Sequence, residues 1–155
     1  MNFADTNWLE AMFFELKDHP QRRAIVDRFL RRNPGQLGLS PLVYLEARNV
    51  FSRVSGEEQP PEWEEVEAGK NGRFYLDPMQ WDLVRRDSFD LFRRYGRKMP
   101  LGTLDLAILA SVRLAGCQQL LSFDETLKAV AVAEEVAVFP PLAEEGKSIL
   151  ARLRA

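Results

Sequence analysis

The chain has 155 residues, 46% of them hydrophobic, enough for one domain to bury a core and too few for two comfortable ones. Its 21 basic and 23 acidic residues leave a formal charge of −2, so no strong overall field argues for a nucleic-acid or membrane partner. A single cysteine, Cys117, excludes an internal disulfide; no neighbours at ligand spacing suggest a zinc site or a thiol nucleophile, and it reads as a small buried apolar residue.

No basic stretch followed by an apolar run opens the chain, and no apolar segment approaches the length of a membrane span. A cytoplasmic protein without membrane contact is therefore expected. Short apolar runs alternate with helical periodicity, the pattern of a parallel sheet covered by helices. Asn2 to Asp5 reads as a first strand leading to a helix near Trp8, with Asp5 at the carboxyl end of the strand, where open α/β sheets form their sites. Asp18 to Arg32 reads as a helix with Pro20 in its first turn and a stop at Asn33, Pro34 and Gly35. Leu37 to Leu39 is a brief second strand.

Ser40 before Pro41 marks a capped helix running to about Val54, with Val43, Ala47, Val50 and Val54 facing inward. Glu46 falls in its second turn. Residues 55–72 form an acidic polar excursion, with a short helix expected around Trp63. Arg73 to Leu76 suits a third strand. Asp77 and Pro78 then open a helix with the apolar stripe Trp81, Val84, Ser88, Leu91, Phe92 and Tyr95.

In the C-terminal third, Thr103 is the expected cap of a helix through Ala115, and Gln118 to Ser122 the next buried strand. Asp124 starts the following helix. Val136 to Phe139 reads as a last strand, and Pro140 and Pro141 precede a final helix with Leu142, Ile149, Leu150 and Leu153. The expected architecture is α/β, with about five strands and six or seven helices in one domain spanning 1–155.

Asp5, Glu46, Asp105 and Asp124 each fall where a strand end or helix start aims a carboxylate into one cleft. Held close together they repel one another, and a divalent cation compensates them; carboxylate oxygens suit Mg²⁺ or Mn²⁺. Setting these four aside leaves 19 acidic residues against 21 basic ones, so an acidic composition does not exclude RNA. Arginine supplies most of the positive charge, and its planar fork suits phosphate. The one histidine, His19, lies away from all four acids, leaving no pair for histidine acid/base cleavage.

The segments Phe3-Ala-Asp5-Thr6-Asn7, Ser40-Pro-Leu-Val-Tyr-Leu-Glu46, Leu104-Asp105-Leu-Ala-Ile-Leu-Ala110 and Leu120-Leu-Ser-Phe-Asp124-Glu-Thr-Leu-Lys-Ala-Val resemble, in order and spacing, the four blocks of the PIN domain. The nearest relatives in style are VapC toxins of toxin-antitoxin pairs. The resemblance implies a three-layer PIN-like sandwich around a mostly parallel sheet, and a metal-dependent endoribonuclease. It implies Mg²⁺ or Mn²⁺ held by Asp5 and Asp105 most directly, with Glu46 and Asp124 completing the set. Asn7 and Ser122 match supporting polar positions; Ser122 stands where relatives usually carry threonine. A cognate antitoxin and a homodimer are the implied partners, RNA the implied substrate. Metal-assisted attack of water needs no 2′-hydroxyl, so products with 5′-phosphate and 3′-hydroxyl ends are expected.

Plainer readings exist for the same residues. Asp5 suits a helix cap, and Ser122 with Glu125 suits a capping box that places Asp124 in the first helical turn. Glu46 alone reads as a solvated helix residue, whereas Asp105 borders the buried stripe Ile108, Leu109 and Val112. The basic residues Arg85, Arg86, Arg93, Arg94, Arg97 and Lys98 suit a solvated face, with Asp82–Arg86 and Asp90–Arg94 at pairing distance. On the earlier helix, Arg22, Arg23, Arg28, Arg31 and Arg32 have fewer acidic neighbours and remain candidates for phosphate contact. A catalytically inactive PIN-like module that binds RNA or protein is the alternative function. A haloacid dehalogenase phosphatase would need an aspartate where Asn7 stands, and a receiver domain an earlier acidic pair and a late lysine.

Overall fold

A computed structural model describes residues 1–67 and 72–155. In chain order the elements are β1 (Phe3–Ala4), α1 (Thr6–Phe13), α2 (Arg22–Arg32), β2 (Leu37–Leu39), α3 (Pro41–Ser55), α4 (Trp63–Val66) and β3 (Phe74–Leu76). There follow α5 (Trp81–Tyr95), α6 (Thr103–Leu114), β4 (Leu120–Leu121), α7 (Glu125–Ala133), β5 (Val138–Phe139) and α8 (Glu144–Arg154). Together the strands form one sheet in the order β3-β2-β1-β4-β5, every pairing parallel. From β1 the chain winds outward through β2 and β3, then returns to place β4 on the other side. The strand order therefore reverses between β1 and β4, and a crevice opens at their carboxyl ends.

Parallel strands covered by helices lose both faces to solvent, so they read as apolar runs. Phe3, Ala4, Leu37, Leu39, Leu120 and Leu121 are all buried. Gly38 lies in register with Phe3, and the Phe3 ring passes so close that a Cβ at 38 would stand 2.6 Å from it. That close approach admits only glycine without moving the ring. Around the sheet α1 packs on α2 and α3, α5 on α6, and α7 on α8, while α6 also touches α3 and α7.

Local chemistry sets the helix ends. Ser40 accepts from the Leu42 amide at 3.2 Å with Pro41 in the first turn, and Gly56, at φ 73°, closes α3 in the left-handed conformation that suits glycine. Two helices begin later than their prolines suggest: α2 at Arg22 rather than Asp18, and α5 at Trp81 rather than Asp77. A residue before proline is pushed out of the helical region, which holds His19 in a turn and lets the Asp77 amide bond to Leu39 as the sheet ends. Conversely α1 starts at Thr6, two residues before Trp8, because Asp5 caps it. Gly102 is the cap residue of α6 and Thr103 its first helical residue. Including the single turn of α4 there are eight helices among the described residues, one or two more than the sequence suggests.

Two apolar stripes end elsewhere than periodicity indicates. Val54 is exposed and Phe51 is the last buried residue of α3; Trp81 is 61% exposed and the buried stripe of α5 begins at Val84. Cys117 is half-buried, and burial pushes its thiol up to about 11, which keeps it a thiol at neutral pH. Within the excursion, Trp63 packs on Tyr44 and Phe51 and Val66 is fully buried, so α4 is anchored to α3.

Among the described residues Lys128 is a buried cation facing a partly buried acid. Lys128 donates to the Pro140 carbonyl at 3.0 Å and pairs with Glu125 at 2.6 Å, and Glu125 also accepts from the Ala143 amide at 2.7 Å. The pair fastens the segment between β5 and α8 onto α7. Removing one member leaves the other charge uncompensated in a dry site. Glu125→Ala should therefore cost about 3 kcal/mol, read as a lower urea midpoint at unchanged m. Glu125→Leu combined with Lys128→Met should recover much of that loss.

Candidate active site

Asp5 stands at the end of β1 and caps α1: Oδ1 accepts from the Thr6 amide at 2.8 Å, and Oδ2 from the Ser122 hydroxyl at 2.8 Å. It is only 4% exposed. Burial is the main reason its pKa is raised from 3.8 to about 7; the two hydrogen bonds pull it down, and the charges of Glu46 and Asp105 push it further up. Glu46, in the second turn of α3, accepts from the Thr6 hydroxyl. Asp105, half-buried in the first turn of α6, accepts from the Gly102 amide at 3.3 Å; burial raises its pKa, with Asp124 adding to the rise.

Asp124 caps α7 by accepting from the Leu127 amide at 3.0 Å. Ser122 lies outside that helix and accepts from the Asp124 amide at 3.1 Å, so the Ser122/Glu125 capping box expected from the sequence does not form. Glu125 instead faces Lys128 and Ala143. Asn7 Oδ1 accepts from the Phe123 amide at 3.0 Å and lies 3.5 Å from the Ser122 hydroxyl. One serine and one asparagine thus join the ends of β1 and β4 across the crevice.

Asp5 feels Glu46 and Asp105, and Asp105 feels Asp124, so the four acids share one electrostatic neighbourhood. Among the described residues, however, no three His, Cys, Asp or Glu side chains stand close enough together to enclose an ion as they are. Each carboxylate is turned to a neighbouring amide or hydroxyl, as expected where like charges repel. An all-oxygen donor set around a buried acid still fits Mg²⁺ or Mn²⁺. Such ions retain several waters and need only one or two direct carboxylates.

Sequence reading did not place Thr6 or Phe123 in the site, and it named Arg22 only as one of five arginines open to phosphate contact. Arg22 opens α2 with its guanidinium carbon 4.8 Å from the Phe123 ring centroid, and Phe123 stacks on Trp8 at 5.4 Å. Thr6 and Phe123 lie inside the matching blocks, whereas no linear pattern brings Arg22 to Asp124. On α5, Asp90 pairs with Arg94 at 2.8 Å and with Arg93, while Asp82 and Arg86 form no pair among the described residues. Arg94 also reaches Glu134, which meets Arg113 at 3.4 Å.

A doubly wound parallel sheet with acids at its switch point is the PIN arrangement, and the PIN domain pattern matches residues 3–133. The chain belongs to the PIN domain family. Its fold is that of VapC toxin structures. It is similar to VapC20 of Mycobacterium tuberculosis, a sarcin-ricin loop cleaving toxin, at TM-score 0.67 and 17% identity over 84% of this chain and 95% of that one. FitAcB from Neisseria gonorrhoeae aligns at TM-score 0.62 and 19% identity, covering 91% and 98%. A toxin-antitoxin complex from Klebsiella pneumoniae aligns at TM-score 0.59 and 19% identity, covering 83% and 91%. No curated protein matches the chain. Among the described residues no helix is long and apolar enough to cross a membrane.

The raised pKa of Asp5 has a thermodynamic sign. The folded state binds this proton more tightly than the unfolded chain, so the associated stability is fully present below 3.8 and is lost as pH rises through about 7. In metal-free buffer Asp5→Asn should therefore match the parent near pH 4 and exceed it at pH 8. Every tenfold by which the folded state holds the proton more tightly corresponds to about 1.4 kcal/mol. Urea unfolding at both pH values in EDTA checks this, and equal gains at the two would contradict a buried, proton-binding Asp5.

Proposed function

We propose that this protein is a cytoplasmic, metal-dependent endoribonuclease, the toxin of a toxin-antitoxin pair, folded as a single PIN-like domain. The observation that carries the reading is Asp5: a carboxylate buried at the switch point, held by two hydrogen bonds, with Glu46 and Asp105 raising its cost of ionisation. A site that only needed a helix cap would gain nothing from surrounding it with further acids. A cation relieves that cost.

Asp5 and Asp105 would hold Mg²⁺ or Mn²⁺ most directly, with Glu46 and Asp124 from the flanking helices. Bound there, the ion would activate water and stabilise charge on the phosphate during hydrolysis. The chain's own residues prepare the site. Ser122 orients Asp5, Thr6 orients Glu46, and Asn7 fixes the backbone that leads to Asp124. RNA as substrate is supported by family membership and by the likeness to a toxin that cleaves the sarcin-ricin loop. An antitoxin partner is supported by the likeness to toxin-antitoxin complexes, VapBC2 of Rickettsia felis bound to promoter DNA among them. A homodimer is proposed from membership of the family.

One observation favours the alternative of an inactive binding module: every acid already serves a local hydrogen bond, and no cage is preformed among the described residues. Cleavage decides between the readings. Purified total RNA incubated with Mn²⁺, Mg²⁺ or EDTA should give discrete fragments with 5′-phosphate ends in metal only. Asp105→Asn should abolish them while retaining the parent's circular dichroism. Equal cutting by parent and variant would show that the nuclease lies elsewhere.

Metal binding has its own readout. Millimolar Mn²⁺ should raise the melting temperature, because an ion that binds only the folded state stabilises it by mass action. The rise should shrink as pH falls through about 7, where Asp5 takes up a competing proton. A melting temperature indifferent to Mn²⁺ at pH 8 would remove the metal from the mechanism.

A further inference from the structure

An acidic cleft repels the polyanion it is to cut, so a nuclease of this design needs a cation at its rim. Several arginines are engaged elsewhere. Among the described residues Arg94 and Arg113 bind Asp90, Asp87 and Glu134, Arg73 binds Glu65, and Arg48 binds the Glu58 carbonyl. Arg22 differs. It is half-buried and lies within electrostatic reach of Glu10 and Asp124, yet no hydrogen bond or ion pair ties it to either.

Its position is nonetheless fixed. Trp8, fully buried, stacks on Phe123 with ring planes 15° apart, and the Arg22 guanidinium lies over Phe123. The Phe123 amide is anchored on Asn7, and the next residue is Asp124. A planar cation stacked by one face keeps its N–H edge available, and that fork matches two phosphate oxygens. We propose that Arg22, seated on Phe123 beside Asp124, holds a phosphate of the RNA strand at the edge of the carboxylate cleft. This deepens the nuclease reading and rests on it.

The test separates the two. Binding of a fluorescent single-stranded RNA is measured by anisotropy across a salt series, in EDTA and in Ca²⁺, for the parent, Arg22→Gln, Arg22→Lys and Arg97→Gln. The last removes an exposed cation just past the C-terminus of α5. Arg22→Gln should weaken binding about tenfold, as expected for one charge-assisted contact, and flatten the slope of log K against log salt by about 0.7. Arg22→Lys should keep the slope and recover part of the affinity, because a point charge replaces the fork. In Mn²⁺, Arg22→Gln should raise KM with kcat nearly unchanged.

Parent-like affinity and slope in Arg22→Gln would overturn the proposal, as would RNA left unbound by the parent in both buffers. An equal slope change in Arg97→Gln would reduce Arg22 to a share of a diffuse field and overturn it too. So would a fall in kcat with a smaller Mn²⁺-induced melting shift, which would mean that Arg22 only steadies Asp124. A parent that binds RNA but never cuts it would sink the nuclease reading while the binding series still decides the role of Arg22.

Discussion

Charge at the end of the central strand is the constraint on which the rest of the site depends. A parallel sheet that reverses its winding between β1 and β4 leaves a crevice at the carboxyl ends of those strands, and Asp5 occupies it. Water is largely excluded there, so ionisation is expensive. Ser122 and the Thr6 amide lower that expense; Glu46 and Asp105 raise it. The balance lifts the pKa of the carboxyl to about 7, so its charge responds to whatever positive charge arrives.

Helix capping and metal ligation draw on the same chemistry. An aspartate at a helix start points its oxygens at amide hydrogens, which is also an orientation from which a small rotation presents them to a cation. Asp5 and Asp124 are both caps, and Asp105 folds back onto the amide of a cap residue. The fold thus gives these acids local hydrogen-bond partners without a metal. Loss of a carboxylate at such a position removes a cap together with the charge, and replacement by asparagine separates the two because it still accepts from an amide.

How much of this was legible in the sequence follows from the range of the forces involved. Ser40-Pro41 announces α3 because capping is local, and Leu37 to Leu39 announces β2 because a strand buried on both faces is uniformly apolar. The four segments in order pointed to the PIN domain, and the match over residues 3–133 establishes that membership. Helix starts after Pro20 and Pro78 were misjudged, because proline fits a first turn but also drives its predecessor extended. Trp81 and Val54 continue a helical period past the point where a neighbouring element covers it, and periodicity carries no information about where coverage stops. Arg22 was the hardest to see. Its nearness to Asp124 depends on how α2 crosses the end of β4, a tertiary fact absent from any window of sequence.

The Glu125–Lys128 pair ties the start of α7 to the segment between β5 and α8. Residues after 133 lie beyond the stretch that matches the PIN pattern, yet the Pro140 carbonyl and the Ala143 amide are held by the two residues of that pair. Glu125 directly follows Asp124 along the chain. The turn that carries Asp124 is therefore the same turn that grips the segment between β5 and α8, one side chain facing each way. The C-terminal segment is in this way braced on the helix that starts at Asp124, so a substitution in β5 or α8 can reach the acid-lined crevice through α7.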